Sequence, residues 1–441
     1  MIHIRNFIRR LVAPAYVRQI EAGGGGWRFQ GVPMLPAPQQ SALAARGPAK
    51  ARAAALSMNN PIAARAVEAW AAALVGKGWQ VQSQHPDRQI ARVLNDELEA
   101  LVWPLMPMIA RAVVRDGECF VRMLSSPDGF RLSLLPADQI DPAMTRDLGD
   151  GARIVAGVEF DGSEQVTAYH VLPDAPGTPF GTYGETLRIP ASEILHVFDR
   201  QFPGQVRGVT WLAPVLLKLA DYDAASDAML MNLKVQALFA GFITDLEGGT
   251  AGFDGTEKAG TVNVSLEPGA MRMLPPGSDV KFSQPSGGLS QQVEFIKSQL
   301  HEIAAGLGLM YEQLSGDLSQ ANYSSARFGL LEFRRRAEML QRTLIEGQLL
   351  RPLWRHWIGW KALAGEISPE DATAPDYRAV RFVPPGWQWV DPLKEVNAEV
   401  RAIEAGLKSR AEVVAGRGRD LDEVDQEIAG DTRRPAQEGD A

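Results

Sequence analysis

Six histidines are the first places to look for chemistry: His3, His85, His170, His196, His301 and His356. None has the H-E-x-x-H spacing that puts two imidazoles on one helix face around zinc. His301 and Glu302 are adjacent, but Ala305 and Gly306 occupy the next turn, so both read as the polar face of an amphipathic helix. Gly76-Lys77-Gly78 lacks the first glycine and the Ser/Thr of a phosphate loop and reads as a helix C-cap. Gly306 and Gly308 begin a G-x-G, but Tyr311 stands where the third glycine belongs and no strand precedes it. There is no G-x-S-x-G elbow. Asp221, Asp223 and Asp227 share one helix and form a solvated face or line a passage. The single cysteine, Cys119, excludes an internal disulfide and any Cys-based metal site; it reads as a small buried hydrophobe. The residues therefore imply no catalytic site, no metal and no cofactor.

Arg334, Arg335 and Arg336, with Arg327 and Arg342, form the one prominent basic cluster. Two readings stand side by side: pairing with Glu332, Glu338 and Glu346 or with a neighbouring subunit, and contact with DNA phosphates. Overall charge argues against a tight nucleic-acid binder. Lys plus Arg number 45 and Asp plus Glu 53, a net of −8. Apolar residues are 45% and charged residues 22% of 441, which excludes wholesale disorder. The chain is long enough for roughly three lobes. No apolar run reaches the ~20 residues of a membrane span; the best stretch, 229–243, is interrupted by Asn232, Lys234 and Gln236. The basic segment 1–11 lacks the long apolar core of a secretory signal and reads as a flexible arm. A soluble, reducing compartment is expected.

The elements behind these residues follow from pattern. Four consecutive glycines and a cluster of prolines in 23–48 predict an extended arm, with order beginning near Ser57. Asn60 as N-cap and Pro61 as first helical residue open a helix that ends near Gly76 and Gly78 and turns Ile62, Ala66, Ala69 and Trp70 inward. A second helix over 87–115 is bent or broken at Pro104 and Pro107. Strands are expected over 119–123, 130–135, 155–160, 166–172 and 194–198, so 57–205 is a mixed lobe. From 211 to 241, steps of three and four predict a rod helix of about 28 residues, roughly 42 Å long. Residues 245–289 turn to glycine, proline and short β-like runs. Val293, Ile296, Leu300, Ile303, Leu307 and Met310 then form a heptad seam that needs a partner helix. A polar break at 315–325 leads to another helix ending before Pro352. An irregular aromatic stretch over 375–391 precedes helices over 392–407 and 408–416 and a frayed tail.

This order, with the motifs it carries, resembles the lambda-type family of bacteriophage portal proteins. The resemblance rests on Pro203-Gly204-Gln205-Val206-Arg207-Gly208-Val209-Thr210-Trp211-Leu212-Ala213-Pro214 opening the rod helix and Ala240-Gly241-Phe242-Ile243 closing it. It continues in the run 314–327, Leu314-Ser315-Gly316-Asp317 through Tyr323-Ser324-Ser325-Ala326-Arg327, and in Leu331-Glu332-Phe333-Arg334-Arg335-Arg336. Asn59-Asn60-Pro61, Arg115-Asp116-Gly117-Glu118 and Trp389-Val390-Asp391-Pro392 also fit, so it spans about residues 50–430.

The resemblance implies an α+β portal-type subunit: arm 1–56, wing 57–208, first stem helix 209–243, clip 244–289, second stem helix 290–310, tunnel loop 311–324, wing helix and following segment 325–389, crown 390–430 and tail 431–441. It implies no enzyme but a homo-oligomer, a ring of about twelve chains at one capsid vertex. Double-stranded DNA would pass through its channel during packaging and ejection. Its partners would be terminase, the major capsid protein and head-completion or connector proteins, with no membrane. It would reside at the virion's portal vertex and, during assembly, in the host cytoplasm. A negative ring of roughly −96 would keep its cargo sliding. Glu294, Lys297 and Glu302 are expected on the lumen face of the stem. Gly316, Asp317, Ser319, Gln320 and Asn322 are expected at the tunnel loop, small or amide groups that form either the narrowest constriction or an ordinary helix–helix loop. Arg327, Arg334, Arg335 and Arg336 remain possible phosphate or inter-subunit contacts. The competing readings are a DNA-independent head–tail adaptor or scaffold ring and a nucleic-acid-processing enzyme.

Overall fold

The computed structural model describes residues 35, 37–126, 129–181, 184–237, 241–243, 256–258, 261–263, 271–273, 289–319, 323–388 and 391–431. It opens with a helix where an extended arm was expected over 38–56: α1 spans Pro38–Asn59. The breakers cluster before it, whereas Ala42, Ala44, Ala45, Ala49, Ala51 and Ala53–Ala55 supply the strongest helix former. Pro38 lies in the first turn, where its missing N–H costs nothing. The internal Pro48 is tolerated because α1 is pinned to the lobe by buried Arg46 and Ala53.

Helix α2 (Pro61–Val75) starts as its sequence predicts: Asn60 Oδ1 accepts from Ile62 N at 2.9 Å and Ala63 N at 3.0 Å. It buries Ala66, Trp70 and Leu74 and stops at Gly76, whose φ of 53° suits glycine. Strand β1 (Gln80–Ser83) follows. The expected break at the prolines divides α3 (Arg88–Val102) from α4 (Met106–Asp116). Strand β2 (Glu118–Ser126) lies between β3 (Gly129–Leu135) and β9 (Ile194–Phe198), antiparallel to both. Between β3 and β9 runs a five-stranded antiparallel meander: β4 (Arg146–Gly149), β5 (Ala152–Val155), β6 (Val158–Phe160), β7 (Val166–Val171) and β8 (Leu187–Pro190). The single strand expected over 155–160 is thus two strands. Ala156 and Gly157, with φ of 49° and 81°, form the two-residue turn between β5 and β6.

After a short 3₁₀ turn, Ala213–Val215, helix α5 covers Leu216–Ala237. Its 22 residues make a rod of about 33 Å, shorter than the expected span because the start is a 3₁₀ turn; residues 238–240 lie outside those described. Short strands β10 (Gly241–Ile243) and β13 (Met271–Met273) pair in parallel, and β11 (Thr256–Lys258) and β12 (Thr261–Asn263) pair antiparallel. Helix α6 (Leu289–Leu307) runs antiparallel to α5: a Cβ on Gly306 would meet Val215 Cγ1 at 2.5 Å, and Lys218 reaches Glu302 at 2.8 Å. Leu300, Ile303 and Leu307 are buried, whereas Val293 in the same seam is exposed.

Helix α7 (Tyr311–Ser315) occupies the start of the stretch expected to be a loop. Helix α8 (Tyr323–Leu340) passes through a π-helical segment, Gln341–Leu350, into α9 (Arg351–Leu363), so the chain does not stop before Pro352. The Arg351 N–H reaches Glu346 O, five residues back, so the ladder has already left α register where proline removes a donor. The segment over 375–391 contains α10 (Pro375–Arg378) and β14 (Val380–Val383), which pairs antiparallel with β1. Helices α11 (Pro392–Glu404), α12 (Arg410–Gly416) and α13 (Leu421–Gly430) end the described chain. The fold is α+β, as expected. One core joins α2, α3, α4, the β2 sheet, the bases of α5 and α6, and the α8–α9 run; a smaller one fills the meander around Phe120, Ile140, Tyr169 and Ile189.

Candidate functional site

Two of the motif segments quoted above meet in a buried ionic cluster. Gly117, with φ of 92°, turns α4 into β2 and leaves Glu118 as the strand's first residue. A Cβ on Gly117 would lie 2.3 Å from the Val209 carbonyl carbon, and one on Gly208 would lie 2.2 Å from Gly117 O. The two glycines therefore interlock the backbones of 115–118 and 207–210. Glu118 is sealed from water. Its carboxylate accepts from Arg207 Nε at 3.0 Å and Nη2 at 2.8 Å, from Arg46 Nε at 3.0 Å, from His196 Nε2 at 3.0 Å and from Gly208 N at 2.8 Å. Arg207 also donates to Ala137 O and Ala156 O. Burial alone would raise the Glu118 pKa, but Arg207, His196 and Arg46 outweigh it and hold the carboxylate well below its ordinary range. Burial pushes His196 down to about 4, so its ring is neutral at pH 7. This cluster is a lock, with its acceptors filled by neighbours, and it binds α1, β2, β9 and the approach to α5 into one body. Sequence reasoning marks the two motifs but not their union. The only local signal is alternation in β9, which puts His196 on the same strand face as Ile194 and Phe198.

A second junction ties the lobe to the long helices. Trp70 Nε1 donates to Leu307 O at 3.0 Å. Its ring meets Trp211 edge-on at 5.3 Å and Phe333 at 4.9 Å. Asn60 Nδ2 donates to Asp223 Oδ1 at 3.1 Å, so that aspartate belongs to the lobe–rod joint.

The expected lumen residues of α6 divide. Glu294 and Lys297 line one shallow groove with Ser298 and His301, and Lys297 points toward Asp317 at 3.9 Å. Glu302 faces α5, paired with Lys218. In the loop, Gly316 ends α7 with φ of 74°. Asp317 accepts from Ser319 N at 2.9 Å and Tyr311 Oη at 3.2 Å; hydrogen bonding from Ser319 lowers its pKa. Ser319 is exposed. Gln320 and Asn322 lie outside the described residues.

The arginines diverge, as successive residues on a helix must. Arg334 lies over Trp387 at 5.4 Å and donates from Nη2 to Gln388 O at 2.7 Å. Arg336 lies over Trp70 at 5.3 Å, with its guanidinium against Gly308. Arg335 is exposed and Arg327 half-buried. Of their supposed acidic partners, Glu346 pairs with Arg351 and Glu338 accepts from Trp387 Nε1 at 2.9 Å.

Cys119 is buried, and that burial pushes its thiol up to about 12, which makes it inert. Among the described residues no group of three His, Cys, Asp or Glu could hold a metal ion, and no helix is long and apolar enough to cross a membrane.

Residues 28–341 match the family model described as phage portal protein, lambda family. A probable portal protein of Halomonas phage phiHAP-1 is 30% identical over 333 residues, which cover 73% of this chain and 64% of that protein. The matched region thus spans a little under two thirds of that relative. The portal protein of Escherichia phage N15 is 25% identical over 91% of this chain and 87% of its own length. A chain from the neck of a native gene transfer agent particle, computed with C12 symmetry, shares 16% identity at a TM-score of 0.42, covering 82% of this chain and 93% of that one.

Proposed function

The chain belongs to the lambda family of phage portal proteins, and from that premise we propose that it forms the ring-shaped channel at one capsid vertex. Double-stranded DNA enters through this channel during packaging and leaves through it during ejection. The ring also serves as the platform on which terminase, the major capsid protein and head–tail connector proteins dock. The subunit is structural rather than enzymatic, with packaging energy supplied by the motor that docks on it. Its place is the portal vertex of the particle and, before that, the host cytoplasm.

In this reading 57–208 is the wing, α5 and α6 the stem, 244–289 the clip, 311–324 the tunnel loop and 390–430 the crown. Gly316, Asp317, Ser319, Gln320 and Asn322 line the constriction, and Glu294, Lys297 and Glu302 border the lumen.

The observation that carries the proposal is uncovered apolar surface on helices that rise from an otherwise complete core. Leu217, Leu230, Met231 and Leu233 on α5 and Val293 and Phe295 on α6 are all exposed. Such surface needs covering, and neighbouring subunits side by side in a ring would cover it.

The test is the solution mass of the purified chain, with particle images from the same fractions. Twelve chains of 48.0 kDa weigh about 576 kDa. A ring near that mass with a central hole is the expected result; a compact dimer without a hole would overturn the proposal. DNA-filled particle counts with and without the protein separate a channel from a DNA-independent adaptor ring.

A further inference from the structure

Helix α8 has two apolar seams, and one of them is uncovered. Phe333, Ala337 and Leu340 face the core and are buried. On another face Phe328, Leu331, Arg335 and Met339 step by three, four and four, Arg342 follows just past the helix end, and all five are exposed. At about 100° per residue they share one stripe. Scattered apolar side chains on a surface are ordinary, but a row at this spacing is what a second helix packs against.

Helix α11 carries the counterpart. Leu393, Val396, Val400, Ile403 and Glu404 share one stripe, and all are exposed. The stripes match in length: Phe328 to Met339 and Leu393 to Glu404 each rise about 16 Å along the helix axis. They match in charge as well. Among the described residues Arg335, Arg342 and Glu404 form no ion pair. Beside the first stripe, Glu338 is engaged by Trp387 Nε1, which leaves Glu332 on the rim against two cations. Beside the second, Glu399 is held by Lys408, and Arg401 lies outside the stripe. The two helices do not cover each other within one chain. α11 starts close to α8, where Arg334 donates to Gln388 O and Arg327 pulls on Asp391, yet both stripes remain exposed.

We propose that the α8 stripe of one copy receives the α11 stripe of the next. Laid parallel, Phe328 meets Leu393, Leu331 meets Val396, Met339 meets Ile403, and Glu404 falls between Arg335 and Arg342. The antiparallel arrangement carries Glu404 toward Phe328, away from both cations, so charge selects the parallel one. Because the two surfaces differ, the contact repeats head to tail around a ring. That closure rests on the portal reading; the contact between copies does not.

The experiment uses the full chain, whose one cysteine, Cys119, is buried and inert and gives no background. Met339→Cys and Ile403→Cys are made singly and together, checked for an unchanged melting profile, and oxidised with copper phenanthroline. A mixture of the two single variants should give a disulfide-linked pair that neither gives alone, and the double variant should give a ladder of linked chains. A second set reads charge. Glu404→Arg should lower the assembled fraction several-fold at low salt, adding Arg335→Glu should restore most of it, and high salt should mute both effects. Full-mass rings with no linked pair and no response to Glu404→Arg would overturn the contact and leave the portal reading standing. Linked pairs without a ring by mass would support the contact and overturn the ring. Chains that stay unlinked monomers in the mixture, or a double variant that links only within itself, would overturn the contact.

Discussion

Glu118 is the residue on which the lobe depends. A buried carboxylate facing Arg207, Arg46 and His196 is satisfied only while the set is complete. Removing the acid leaves two guanidiniums buried without a counter-charge, so Glu118→Ala should lower unfolding stability by about 3–5 kcal/mol in urea titrations. A double replacement of Glu118 and Arg207 by leucine and methionine should restore part of that, because only the Arg46 guanidinium is then left buried without its acid. A change under about 1 kcal/mol for the single variant would show that the lobe does not depend on the cluster. Protonation acts on the same group. Folding depresses His196 from its ordinary value of 6.5 to about 4, so between these pH values the unfolded chain binds a proton that the folded chain does not. The stability it contributes is present above pH 6.5 and lost as pH falls toward 4. Glu99 has the opposite sign. Burial raises it from 4.5 to about 7, against the bond it accepts from Val81 N, so its contribution is present below 4.5 and lost as pH rises through 7. Thermal melts of Glu99→Gln should exceed those of the unmodified chain at pH 8 by about 1 kcal/mol equivalent, after discounting for partial exposure. They should converge with it at pH 4; no difference at pH 8 would refute the assignment. Little of this is legible in the sequence. The period of two places His196 on the strand face of Ile194 and Phe198, but its acid lies 78 residues away in sequence, and nothing local names it.

Among the elements, α11 is the clearest case of a surface in want of a partner. Leu393, Val396, Val400 and Ile403 step by three, four and three along it, and all are exposed; the helix buries no residue at all. Heptad spacing of this kind is what a second helix packs against. Val400→Asp should leave the subunit's melting stability within about 0.5 kcal/mol, since nothing in the described chain covers the site. It should reduce the ring fraction by mass measurement. An intact ring at full yield would mean that α11 faces solvent in the assembly. The seam on α6 is readable from its 3, 4, 3, 4 steps, but sequence does not say that only its lower half, Leu300 to Leu307, finds cover within the chain. Strands β1 and β14 escape sequence reasoning for another reason: each has four residues, and their pairing joins Val81 to Phe382 across most of the chain. Helix α1 escapes it because the glycine and proline beside it outweigh its own alanines.

For the whole molecule the decisive quantity is charge summed over copies. A portal channel must let phosphates pass without holding them, and every cation that pairs with a phosphate releases counterions and tightens the grip. At −8 per chain, the proposed ring of about twelve would carry roughly −96. The α+β class, the two long helices and the acidic balance are all legible from composition and period, because each is a sum over many residues. Which side chains border the lumen is not, because that depends on how copies are placed around an axis. Glu294 puts the matter to a test: it is exposed, it shares a groove with Lys297 and His301, and the core of the subunit does not use it. Glu294→Lys changes the chain from −8 to about −6 and a ring of about twelve to roughly −72. If the groove borders the channel, the variant ring should bind duplex DNA more tightly at low salt, with a log–log salt slope steeper by up to about 0.9 for each phosphate newly engaged. Packaging should slow in proportion while ring mass and melting temperature stay unchanged. Unaltered duplex affinity and packaging rate in an intact ring would place Glu294 away from the channel and leave the tunnel loop as the surface that DNA meets.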